Sequence, residues 1–214
     1  MKVELIWSTP DADKVIGYCA RVSNPANQDN QDVGKLLKYC ADHHHFSVFE
    51  MASACIEINT TRDIGRQILR HKSFSFQEFS GRYQEYSKLP KAELRECRMQ
   101  DTKNRQNSLQ TNDDDLSGWW RAAQNTVSNQ ASRLYEMALE RGIAKEQARA
   151  LLPEGLTPSR MYMSGTLRSW IHYLQVRLDP ATQLEHRLIA QQALEALRPA
   201  APIIFNSFFG ESNV

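Results

Sequence analysis

The amino-acid sequence predicts one mixed α+β domain, with several long helices concentrated in its second half. Three observations carry that expectation. Residues 3–7 alternate loosely and residues 52–59 alternate through Ala54, Ile56 and Ile58, and this period of two marks strands. From Leu116 onward apolar residues recur at helical spacing in runs broken at Gly142, Pro153 and Asp179-Pro180. No internal repeat, low-complexity tract or linker divides the 214 residues, so 1–214 is read as a single domain.

The elements follow in order. After the first strand, Pro10 and Asp11 open a helix to about residue 21, with Val15, Ile16, Cys19 and Val22 on one side. Residues 24–30, rich in Asn, Gln and Pro, read as a loop. A second helix over 32–41 carries Val33, Leu36, Leu37 and Cys40 at helical spacing. After the strand at 52–59, Thr60 or Thr61 caps a helix reaching Lys72, and residues 76–83 are read as extended. Residues 88–115 hold few apolar anchors and form a polar surface excursion ending in Asp113-Asp114-Asp115. A long helix over 116–141 stops at Gly142, and a short one over 145–152 stops at Pro153. Helices over 166–177 and 181–197 flank Asp179-Pro180.

Composition excludes several classes. A net charge of +1 gives no bulk attraction to nucleic acid or membrane, so any basic function must come from a local cluster. The 41 % hydrophobic content is ordinary for a folded protein and too high for a disordered one. No apolar run approaches the roughly 18–20 residues of a membrane span. The first residues read as a strand and lack the apolar core of a signal peptide, so a cytoplasmic protein is expected. Cys19, Cys40, Cys55 and Cys97 show no C-x-x-C spacing and are expected to be reduced thiols. His43, His44 and His45 cannot all face one ion in regular structure, and no ligand partner stands at zinc spacing, so no metal is expected.

Chemistry concentrates in two stretches. In "RHKSFSFQEFSGRY", residues 70–83, cations, a carboxylate, hydroxyls and phenylalanines crowd together. Arg62, Arg66 and Arg70 form one stripe at four-residue spacing, which can be a solvated helix face or a basic surface. If 76–83 is extended, Glu78, Ser80 and Arg82 share one face beside an Arg-His-Lys helix end. Burying that set without a partner would be costly, and a polar ligand carrying phosphate would resolve the cost. The second stretch is "TLRSWIHYLQVRLDP", residues 166–180. Leu167, Trp170, Ile171, Leu174 and Leu178 make a core stripe, with Arg168, His172 and Gln175 beside it and Arg177 at the end. Singly, His172 reads as an interfacial histidine and Arg177 as a partner of the helix dipole. The chain has no G-x-G-x-x-G, P-loop or G-x-S-x-G motif.

"RHKSFSFQEFS" resembles the R-H-R-x7-S signature of the flavin-dependent thymidylate synthases, with Lys72 at the third position. "ARVSN", "HFSVFEM", "GRQILRHK", "EFSGRY", "ARALLP" and "LRSWIHYLQVR" resemble family blocks in the same order, over most of the chain except about 88–115. The resemblance implies an α+β subunit with a central, largely antiparallel sheet, assembled as a homotetramer with shared active sites. It implies reductive methylation of dUMP at C5 to dTMP, with methylenetetrahydrofolate as carbon donor, FAD as redox cofactor, NADPH as reductant and no protein nucleophile. By position, Arg70, His71 and Lys72 would contact FAD, with Ser47, Glu50 and Glu78 nearby and Arg168 and His172 reaching it from the later helix. Gln67, Arg70, Glu78, Ser80, Gly81, Arg82 and Arg149 would hold dUMP, and Arg177 would activate the pyrimidine. A guanidinium cannot be a base at neutral pH, but it stabilises charge developing on the ring. Lys72 departs from the family arginine and loses its bidentate fork, and Ser47-Val48 stands where Thr-Pro is frequent. Besides a catalytically inactive homologue, against which the presence of Arg70, His71, Ser80, Arg82 and Arg177 argues, two alternatives remain at this point. One is a related enzyme that acts on another pyrimidine nucleotide or leaves a hydroxymethyl group. The other is a nucleic-acid-binding module built on Arg62, Arg66, Arg70, Phe74 and Phe76.

Overall fold

Two nine-residue strands, Ser53–Thr61 and Pro158–Thr166, pair along their whole length, and the rest of the fold is laid around them. The computed structural model describes residues 1–211. In chain order its elements are β1 (Lys2–Ser8), α1 (Ala12–Ala20), α2 (Gly34–Asp42), β2 (Ser53–Thr61), α3 (Arg62–Ile68), β3 (Ser75–Glu78), β4 (Arg98–Gln100), β5 (Ser108–Gln110), α4 (Asp114–Glu140), α5 (Lys145–Ala148), β6 (Pro158–Thr166), α6 (Leu167–Arg177), α7 (Leu184–Leu197) and α8 (Pro202–Phe209). The main sheet runs β1-β2-β6-β3 and is antiparallel at every pairing. β4 and β5 form a separate hairpin. The mixed α+β class with an antiparallel sheet is therefore as expected.

The core shows why α6 carries a clean apolar stripe. Ile56 and Ile58 of β2, Met161 and Met163 of β6, and Leu167, Trp170, Ile171 and Leu174 of α6 are almost wholly buried in one cluster. Ile189, Ala190, Ala193 and Leu197 of α7 join them. Trp170 keeps its indole N–H satisfied by donating to Ala54 O at 3.1 Å, so its full area is buried without an orphaned donor. Truncation to alanine there would cost about 3–5 kcal/mol.

Local signals place the helix ends. Asp113 Oδ1 accepts from Leu116 N at 2.9 Å, and Asp114 and Asp115 sit in the positive first turn of α4. Gly142, at φ 79°, ends that helix, with Ile143 N reaching back to Ala138 O. Thr166 Oγ1 accepts from Ser169 N at the start of α6.

Three expectations are corrected. The helix expected to reach Lys72 stops at Ile68, and Arg70 and His71 follow in tight turns onto Gln67 O and Ile68 O. The extended run expected over 76–83 ends at Glu78, because β3 pairs with β6 for only four residues. Tyr83 N and Gln84 N then both turn back to Ser80 O, so strand parity does not place Glu78, Ser80 and Arg82 on one face. β6 and α8 were not expected. β6 opens on Pro158 and mixes serines with Met and Tyr, and α8 is docked by a residue far away in sequence. Asp13 accepts from Ile203 N and Ile204 N, capping α8 from inside α1.

Candidate active site

His71 and Arg177 meet although 106 residues separate them. The turn after α3 and the last residue of α6 converge, and Arg177 Nε donates to His71 Nε2 at 2.9 Å. His71 accepts on Nε2, so its own proton sits on Nδ1. Burial, then the charge of Arg177, then His172, pull the His71 pKa down to about 4. The imidazole is thus neutral beside a fixed cation. Its ring packs edge-on to Tyr173 at 4.9 Å. Among the described residues Arg177 makes no further side-chain bond, which leaves both terminal Nη groups free for a ligand.

Around this pair several donors are unspent. Arg70, Lys72 and His172 are exposed, and among the described residues their side chains form no hydrogen bond or ion pair. Glu50 is ion-paired with Arg168 across the 46–51 turn and the start of α6. Both groups are about half exposed, so the pair is worth at most ~1 kcal/mol and can be redirected by a bound anion. Ser47 is exposed in the same turn. The 46–51 turn thus meets the start of α6 at Glu50 and Arg168, and the turn after α3 meets its end at His71 and Arg177.

A second cluster forms past β3. Arg82 Nε lies 3.3 Å from Glu146 Oε2, and Arg149 Nε donates to Glu146 O at 3.3 Å. With Ser80 and Lys145, Arg82 and Glu146 line an open hollow of about 600 Å³. A dianion entering there would meet several cations, with the Glu146 carboxylate as the group to displace. Gly81 is enclosed by Tyr86, whose Cε2 would lie 2.2 Å from any added Cβ. Glu78 stays exposed, and its Oε1 accepts from the buried Ser159 hydroxyl at 2.6 Å. Among the described residues no side-chain bond joins Arg82 or Arg149 to Arg177. A larger cavity, about 830 Å³ beside β1 and the 88–96 segment, is walled by Glu57, Arg95, Arg160 and Glu185, and by none of the candidate site residues named from the sequence.

The sequence missed a network behind the site. Tyr173 OH contacts His186 Nε2 at 3.2 Å, His186 Nδ1 contacts Gln67 Oε1 at 3.2 Å, and Gln67 Nε2 donates to Gln183 at 2.7 Å. Gln183 Nε2 donates to Glu185 at 2.8 Å, and Glu185 is held by Arg95 and Arg98. Arg95 is itself anchored to Asp63 at 2.7 Å and, through its backbone, to Gln124 of α4. These arginines lie in the segment read as a polar excursion. Their partners include Glu185, 87 residues from Arg98 and further still from Arg95, and no spacing rule reveals such pairs. Burial drives the His186 pKa down to about 3, with Arg177 and His71 adding to the shift.

A mixed α+β fold with a neutral histidine, a free guanidinium fork and unpaired cations gathered at helix ends has the equipment of an enzyme for a small anionic ligand. Residues 4–203 match the family model described as thymidylate synthase complementing protein. The chain is 51 % identical over 190 residues to a flavin-dependent thymidylate synthase of Synechocystis sp., covering 89 % of this chain and 86 % of that one. It is 47 % identical over 194 residues to a probable flavin-dependent thymidylate synthase of Paramecium bursaria Chlorella virus 1, covering 90 % and 88 %. A crystal structure of the UMP/dUMP methylase PolB from Streptomyces cacaoi, bound with 5-Br dUMP, superposes with a TM-score of 0.83 at 26 % identity, covering 100 % of this chain and 96 % of that one. The chain belongs to the flavin-dependent thymidylate synthase family, and it is an enzyme of the methyltransferase class.

Proposed function

We propose that the protein converts dUMP to dTMP by reductive methylation at C5, with methylenetetrahydrofolate as carbon donor and NADPH as reductant. The balance is dUMP, methylenetetrahydrofolate, NADPH and a proton giving dTMP, tetrahydrofolate and NADP⁺. The observation that carries this reading is the His71–Arg177 contact, flanked by Arg70 and Lys72 without protein partners.

The donor set suits FAD, because Arg70, Lys72, Arg168 and His172 offer cationic or N–H donors at the surface to a pyrophosphate and an isoalloxazine edge. Ser47, Glu50 and Glu78 complete the set carried over from the family. When bound, FAD supplies the redox chemistry of the reaction. The protein's part is electrostatic. Arg177 turns its Nη fork on the uracil carbonyls and stabilises charge that builds there, and His71 holds that fork in place through Nε. Arg82, Arg149 and Ser80 take the phosphate, with Gln67, Arg70 and Gly81 along the nucleoside. No cysteine serves as nucleophile, and Cys40 and Cys55 are buried with their thiol pKa raised. The assembly is a homotetramer whose sites are completed between subunits, and it works in the cytoplasm. Among the described residues no helix is long and apolar enough to cross a membrane.

An anaerobic assay with FAD, dUMP, NADPH and methylenetetrahydrofolate, its nucleotide product read by mass spectrometry, tests the proposal. dTMP that requires both flavin and NADPH supports it, and flavin binding without dTMP contradicts it. A second reading, action on UMP as well, is favoured by the likeness to PolB, and UMP run in parallel separates the two.

A further inference from the structure

The side chains from Tyr173 to Glu185 form a chain of hydrogen bonds whose direction is imposed from one end. Glu185 sits between the guanidinium groups of Arg95 and Arg98, with side-chain exposures of 10 %, 16 % and 11 %. An ionised carboxylate can only accept. Gln183 must therefore turn its NH₂ toward Glu185, which leaves its Oε1 facing Gln67. Gln67 must in turn give its NH₂ to Gln183 and its Oε1 to His186. His186 then carries its proton on Nδ1 and accepts from the Tyr173 hydroxyl on Nε2. Tyr173 and His186 are both fully buried, so neither can take a water in place of the missing partner.

An isolated glutamine can flip its amide and present either pattern. Gln67 cannot, because the Glu185 carboxylate, two hydrogen bonds away through Gln183, decides its orientation. It keeps one N–H and one lone pair for a ligand. Its partner His186 stands next to the pair assigned to the pyrimidine, with its ring 6.4 Å from that of His71. Uracil and cytosine differ by exchange of donor and acceptor at positions 3 and 4, and an amide tells them apart only when its orientation is fixed.

We infer that Glu185, held by Arg95 and Arg98, is a positioning residue that makes the site select uracil over cytosine by locking the amide of Gln67. This rests on the reading of Gln67 as a dUMP-binding residue. The residues 88–115 thereby act on specificity without touching the nucleotide.

The test compares the flavin-loaded wild type with Glu185→Gln, whose terminal amide can accept or donate. Dissociation constants for dUMP and dCMP are measured by calorimetry. The ratio of dCMP to dUMP constants is expected to fall at least fivefold in the variant at unchanged flavin content, and a smaller fall overturns the inference. A structural role alone would weaken both nucleotides together and leave the ratio unmoved. The tautomer of His186, read by nitrogen NMR on the wild type, needs no variant: a proton on Nδ1 is expected, and one on Nε2 overturns the inference even if Glu185→Gln does not fold. A wild type that binds neither nucleotide sinks the functional reading and this inference with it. A variant as selective as the wild type sinks the inference alone.

Discussion

Arg177 donates its Nε–H to His71 Nε2 at 2.9 Å, and this contact fixes the tautomer of His71 while leaving the Arg177 fork free. Each residue therefore depends on the other. Replacing Arg177 with leucine removes the second of the causes that depress His71 and leaves the first, burial, in place. His71 should then titrate above its value of about 4 yet below 6.5. NMR titration of the imidazole checks this, and an unmoved pKa would mean that Arg177 does not act on His71. Turnover to dTMP should fall by about 10²-fold or more, the loss typical of one aligned charge-stabilising donor.

Stability should fall toward acid in a window set by two histidines. Both His71 and His186 have folded pKa values below the unfolded 6.5, to about 4 and about 3. Between those values and 6.5 the unfolded chain binds more protons than the fold. The stability they contribute is therefore full above pH 6.5 and is lost as pH drops below it. Each proton difference carries a slope of about 1.4 kcal/mol per pH unit for a fully buried group. Melting temperatures between pH 6.5 and 5, above most carboxylate titrations, should fall with pH, and His186→Asn should flatten that slope. An equal slope in the variant would remove His186 as the cause.

How much of this was legible depended on sequence distance. The stripe Leu167, Trp170, Ile171, Leu174 and Leu178 obeys a local period; its first four residues are buried as that period requires, and Leu178, just past the end of α6, is partly buried. The stop at Gly142 is local too. α8 was not legible, because its N-terminus is satisfied by Asp13, 190 residues away, and nothing in "PIIFNSFF" announces that partner. The same holds at the site. His71 and Arg177 were found by resemblance, whereas Glu185, His186, Arg95 and Arg98 act only through contacts made by folding. The parity expected of Glu78, Ser80 and Arg82 failed because the length of β3 is set by its pairing with β6, not by its own residues.

Gly81 and Gly118 should respond in opposite senses to alanine. At Gly81 the new Cβ would stand 2.2 Å from Tyr86 Cε2 and 2.6 Å from its hydroxyl. Tyr86 cannot yield, being 6 % exposed, bonded to Arg62 and packed on Tyr135. Gly81→Ala should cost about 1–3 kcal/mol and shift the turn that carries Ser80 and Arg82. Gly118 lies within α4 with nothing within 4 Å of its added Cβ, so Gly118→Ala should stabilise by about 0.5–1 kcal/mol. Denaturant midpoints of the two variants check the signs, and dUMP affinity should weaken in the first alone.

Lys72 is the remaining departure from the family signature, and its surroundings argue for tolerance. The side chain is exposed, and among the described residues it has no hydrogen bond or ion pair. Replacement by arginine thus breaks no contact within the subunit, and it restores a planar fork that can hold two oxygens at once. Lys72→Arg should leave dTMP formation intact or raise it, with melting temperature unchanged and flavin bound at least as tightly. A loss beyond about tenfold in kcat/KM, roughly 1.4 kcal/mol of transition-state stabilisation, would show instead that the ammonium is required as a point charge. Flavin affinity measured on the same variant tells where that requirement lies. Weaker binding would put it at the cofactor, and unchanged binding would put it at the reacting nucleotide or folate.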